Sequence, residues 1–186
     1  ESDDPRIRQF LAISLGHLGD PAAVPALVEG LSDETIETQI WTLWALGAIG
    51  DVSATASIVP MLASSDSGVR KIAVYILGTL KDPSTIRDLQ VALNDPTADV
   101  RWNAAMALAQ MNDDAGARIL LELTDRIYLS QFVEITGEER DNVIVNAVKS
   151  LSMLKLDSAR EQLASLSQSD PSLSVRDAAL EALGRY

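Results

Sequence analysis

The chain has no cysteine, which excludes disulfides, thiolate metal sites and cysteine nucleophiles while leaving the redox compartment open. It has a single histidine, His17, and one imidazole cannot by itself build a metal site. Basic residues are scarce: 15 against 27 acidic ones, a net charge of -12. Such a field repels polyanions, so the expectation is no nucleic-acid partner and no direct membrane binding. No stretch reads as a transmembrane helix. What remains is 47% apolar and 23% charged sequence over 186 residues, the balance of one soluble globular domain whose partners are proteins, peptides or small molecules. Location is weakly constrained, with the cytoplasm as the default.

Against that background a repeat stands out. Gly16, Gly47 and Gly78 recur at a step of 31, continued by Ala109, and Leu15, Leu46, Leu77 and Leu108 recur with them. So do Asp20, Asp51, Asp82 and Asp113, and Arg8, Arg70 and Arg101 with Gln39 in the second slot. Self-similarity at this period indicates a solenoid of stacked supersecondary units. Each unit reads as two helices. In the first, Ile7, Leu11, Leu15 and Leu18 have helical spacing, and "PAAVPALVEGL" opens a second helix after Asp20. Asp20 before Pro21 and Asp82 before Pro83 combine an N-cap acceptor with a first-turn proline. The spacing predicts helix pairs at about 5–18 and 21–31, 35–49 and 53–62, 67–80 and 84–93, then 97–111 and 114 onward.

"NAVKSLSMLK" then matches "NAAMALAQMN" at a step of 43, leaving extra residues around "DRIYLSQFVEITGEERD". This predicts an extended second helix in unit four, a short loop near Gly137 and a charged start to the next helix. The units run at about 2–31, 32–62, 63–93, 94–133, 134–167 and a partial 168–186, and the final motif with no closing helix predicts an excised fragment.

"DPTADVRWNAAMALA" and "DPSLSVRDAALEALG", with "HLGDPAAVPAL" in the first unit, make the chain resemble the HEAT-like repeats of the phycobilisome-lyase type. The resemblance implies an all-α fold, an α-solenoid of HEAT-like helix pairs forming a right-handed superhelix, with the V-R-x-x-A-A helices on its concave side. It also implies bilin lyases or bacterial scaffolding and accessory modules as functional classes. No His-Glu dyad supports a di-iron hydroxylase.

A helical wheel through Leu46 places Thr42, Leu43 and Ile49 on the packed side, with small residues on both flanks to admit neighbouring helices. The opposite face carries Trp44, and one repeat apart from it stand Ile13, Tyr75 and Met106. Ile40 and Trp102 lie one turn earlier, and His17 and Lys71 border the row. A face that should be polar is apolar, which predicts a partner-binding stripe made by these eight residues for a protein or peptide segment, with no catalytic residue, cofactor or metal. A bilin lyase or chromophore chaperone, and a structural arm of a larger protein, are the alternatives. Burial of the row within the chain would make it core instead. The repeated arginines point to the packed side and are expected to tie units together through aspartates or carbonyls. "GEERD" at 137–141 reads as a solvated helix start rather than an acid/base pair.

Overall fold

The computed structural model describes residues 3–186; residue 2, the expected opening of the first unit, lies outside them. The described residues form α-helices and short 3-10 turns, with no strand among them. The helices are α1 (Pro5–Leu18), α2 (Val24–Gly30), α3 (Ile36–Ile49), α4 (Thr55–Ile58), α5 (Ser67–Leu80) and α6 (Ile86–Ala92). They continue with α7 (Ala98–Gln110), α8 (Ala117–Glu122), α9 (Arg126–Leu129), α10 (Gly137–Leu154), α11 (Asp157–Ser169) and α12 (Leu173–Leu183). The fold is an all-α solenoid of helix pairs. The chain divides into two compact units, Glu1–Ala107 and Leu108–Tyr186.

Within the first unit the long helices α1, α3 and α5 pack side by side. Their flanks are small because the backbones nearly touch. A Cβ placed on Gly16 would meet the Ala45 Cα at 2.8 Å, and one on Gly78 would meet the Ala107 Cβ at 2.5 Å. Leu43, Leu46, Val69, Ala73 and Leu77 are fully enclosed. The recurrent aspartates open the second half of each repeat as caps: Asp20, Asp51 and Asp82 accept from Ala22, Ser53 and Ser84 N–H at 2.8 to 2.9 Å. The long helices of this unit close in the left-handed region at Gly19, Gly50 and Lys81, again at a step of 31.

The arginines bind as expected. Arg70 pairs with Asp95 through Nε at 2.7 Å and Nη2 at 3.0 Å, and donates to the Ser64 carbonyl at 2.9 Å. Arg8 makes the same pair with Asp33 and reaches Glu34. Arg101 donates to the carbonyl of Asp95 six residues back, and Gln39 does so to Asp33 at 2.7 Å. Glutamine therefore keeps the carbonyl bond of its slot without the charge. The carbonyl bonds join the start of a long helix to the turn that precedes it, and the carboxylate pairs join it to the turn before the next long helix.

Two expectations need correction. The second helix at 53–62 divides into α4 and a 3-10 stretch, Val59–Ala63, because Pro60 has no N–H for the helical ladder. The extended second helix of unit four is instead two short helices, α8 and α9, followed by a loop. Asp125 breaks it, accepting from Ile127 N–H at 2.7 Å and so capping a new start. In this second unit Arg126 on α9 binds Asp170 at 2.8 and 2.7 Å and Asp141 on α10 at 2.7 Å. Hydrogen bonding to the nearly buried Asp170 raises the Arg126 pKa. The clamp fixes the extra residues to α10 and to the turn before α12. Gly137 opens α10 behind a capping box, with Glu139 accepting from Thr136 N–H at 2.7 Å, so "GEERD" is helix-start chemistry.

Candidate interaction surface

Positions one repeat apart on α1, α3, α5 and α7 form rows across the first unit. In the row Ile13, Trp44, Tyr75 and Met106, the two aromatics reach solvent at 39% and 45% exposure, while Ile13 and Met106 are half-buried. The Trp44 and Tyr75 rings lie 5.3 Å apart between centroids, tilted by 54°. Tilted packing at this spacing is attractive for π-systems. Each ring therefore shields part of the other and still presents apolar surface. Mutual burial and openness coexist at this pair.

Trp41, on the same helix, is 42% exposed and widens the surface. Phe10, one repeat earlier than Trp41, is 69% exposed. Sequence reasoning singled out the Trp44 row and missed Phe10, although the register from 41 back to 10 carried the signal.

The row one turn earlier behaves differently. Ile40 is half-buried and its Cδ1 lies 3.8 Å from a Cβ built on Gly68 of α5. This repeat position leans on the neighbouring helix rather than outward. Lys71, its counterpart on α5, sends its Nζ to the Asp99 carboxylate of α7 at 3.5 Å. Trp102, its counterpart on α7, is only 5% exposed. The expectation that Trp102 contributes to an open stripe is thus corrected: it is core. His17 is exposed near the C-terminal end of α1.

The electrostatic features of the first unit are structural. The Arg8 guanidinium, by hydrogen bonding, holds the Asp33 carboxyl down to about 2 from its ordinary 3.8. Arg70 likewise holds Asp95 below that value. Both pairs lie at the turns joining repeats, away from the aromatic row. No helix among the described residues is long and apolar enough to cross a membrane.

The fold agrees with known solenoids. An engineered protein solved by crystallography shares 21% identity with a TM-score of 0.62, over 99% of this chain and 92% of that one. A designed armadillo repeat protein in complex with the peptide (KR)4 gives 21% identity and a TM-score of 0.56, covering 96% and 91%. The complex of CpcE and CpcF of phycocyanin lyase from Nostoc sp. PCC7120 gives 20% and 0.55, covering 98% and 83%. At these identities the likeness is one of fold, a repeat solenoid of the kind that serves as a protein-interaction scaffold. No curated protein matches the chain significantly. HEAT repeats match residues 1–74 and 55–127, more than half of the chain, and the chain therefore belongs to the HEAT-repeat family.

Proposed function

We propose that the chain is a non-enzymatic scaffold that receives a protein or peptide segment on the exposed face of its long helices. Trp44, Tyr75 and Met106 serve as anchors, Ile13 and Ile40 as apolar flanks, and His17 and Lys71 as the polar border. The observation that carries this reading is the Trp44–Tyr75 pair, half-exposed on adjacent helices beside Trp41 and Phe10. Aromatic side chains with fixed neighbours lose little entropy on binding and dominate interface energetics. The designed armadillo protein bound to a peptide supports the capacity of such a fold to present a segment-binding face.

The test is capture of partners by the immobilised chain and by its Trp44→Ala/Tyr75→Ala variant. Loss of a captured segment at unchanged helical circular dichroism and melting supports the reading. Equal loss of fold and capture would make the pair core.

A further inference from the structure

The aromatic face offers a particular chemistry to whatever segment it receives. Phe10, Trp41 and Ile72 stand one repeat apart on α1, α3 and α5, and Ile13, Trp44 and Tyr75 form the neighbouring row. None of the six carries a charge, in a chain whose net charge is -12. Of the ionic groups along the border, Arg6 is paired with Asp4 and Lys71 with Asp99, which leaves Glu37. A neutral middle is complementary to a neutral segment.

The polar groups in that middle are donors. The indole N–H groups of Trp41 and Trp44 and the Tyr75 O–H bond to no described residue, and an indole donates only. The face therefore matches free carbonyls set close to apolar rings. An α-helix spends its carbonyls on its own ladder and leaves these donors unmet. A β-strand added by pairing needs a sheet edge, and the described residues contain no strand. A proline-rich segment has the required groups: its polyproline II helix makes no internal hydrogen bonds, so its carbonyls stay available, and each proline lacks an N–H that would need an acceptor.

Spacing agrees with chemistry. α1, α3 and α5 pack side by side, and helices in contact lie ~8–10 Å apart. Polyproline II advances about 9 Å per turn of three residues. One turn of such a segment thus spans one helix-to-helix step, and a residue at every third position meets Phe10, then Trp41 and Trp44, then Tyr75.

We infer that the segment received on this face is proline-rich and lies across the long helices in polyproline II conformation. It places a proline at every third position against the rings and its carbonyls on the indole N–H groups of Trp41 and Trp44. The inference rests on the function proposed above and adds the chemical class of the partner.

The experiment titrates a capped, labelled peptide of Pro-Pro-Gln repeats, about 12 residues long and so able to cross α1, α3 and α5, by fluorescence anisotropy. Saturable binding is expected, changing less than about twofold between ~0.05 and ~0.5 M salt because no charge contact is involved. An Ala-Ala-Gln peptide of the same length, which favours a helix, should bind at least tenfold more weakly. Trp41→Phe/Trp44→Phe keeps the rings and removes both indole donors; it should weaken binding at least fivefold at unchanged circular dichroism. Absence of saturable binding, equal binding of the alanine peptide, or full affinity in the phenylalanine variant would overturn the inference. The function proposed above has its own readout: a segment captured by the chain and lost with Trp44→Ala/Tyr75→Ala upholds that function even where the proline peptide fails to bind.

Discussion

Arg70 offers a quantitative test of how one repeat is joined to the next. Its side chain is 12% exposed and that of its partner Asp95 is 10% exposed. Alanine at 70 removes two bonds to the carboxylate, those to the Ser64 and Ser65 carbonyls and one to the Thr97 hydroxyl. It leaves Asp95 with its bond from Thr97 N–H at 2.8 Å but without a cation. Charge-assisted bonds contribute about 1.5–3 kcal/mol each in favourable cases, and breaking a buried pair costs about 3–5 kcal/mol. Because the pair reaches water at its edge, the expected loss for Arg70→Ala is about 2–3 kcal/mol. For a chain of this length that is a fall of about 5–10 °C in melting temperature. Gln39 shows that glutamine in this slot keeps the carbonyl bond, so Arg70→Gln should lose about 1–2 kcal/mol. Urea unfolding of the chain reads both values.

The acid limb provides an independent check on the same pair. Hydrogen bonding to Arg70 depresses the folded-state pKa of Asp95 below the ordinary 3.8. Its contribution is therefore present above about pH 3.8 and lost as pH falls through the depressed value. The alanine variant should lack that component. A loss below about 0.5 kcal/mol, or equal losses for glutamine and alanine, would refute the assignment of Arg70 as an inter-repeat tie.

Three further outcomes follow from the repeat geometry. Gly78→Ala should destabilise by about 1–2 kcal/mol in urea unfolding, since the added Cβ meets Ala107 and overpacking outweighs the gain in helix propensity. Lys81→Gly should stabilise by about 0.5–1 kcal/mol, because Lys81 holds φ 54° where its counterparts are Gly19 and Gly50; a drop in melting temperature would contradict this. Asp33→Asn should flatten the acid-unfolding curve between about pH 3.8 and 2. Arg8 holds the folded carboxyl at about 2, and that stabilisation fades as pH falls through this window.

Much of the fold was legible because a solenoid repeats its solutions. Gly16 and Gly78 recur where backbones touch, Asp20, Asp51 and Asp82 where caps are needed, and the arginines where a turn meets the next helix. The left-handed closure at Lys81 was not legible, because only a glycine at 19 and 50 marks the position and lysine hides it. Unit four defeated the period, since an insertion removes the register and Asp125 reads equally as helix interior or as a new cap.

The site divides along the same line. Angles on one helix place Trp44 and Tyr75 outward, which the structure shows. They cannot say how far a side chain leans on the neighbouring helix, which is why the wheel alone places Trp102 at the surface although it is buried. Periodicity also gives no account of the first repeat's exposed face. Ile7, Leu11 and Leu18 have core spacing yet are exposed.

The most direct measurement is the tryptophan emission of the chain as a captured segment is titrated in, followed with acrylamide quenching. Trp102 is already enclosed, so any response comes from Trp41 and Trp44. Occupation of the aromatic face predicts a blue shift and protection of both from quencher. A bound segment that leaves emission and quenching unchanged would place the contact elsewhere on the molecule.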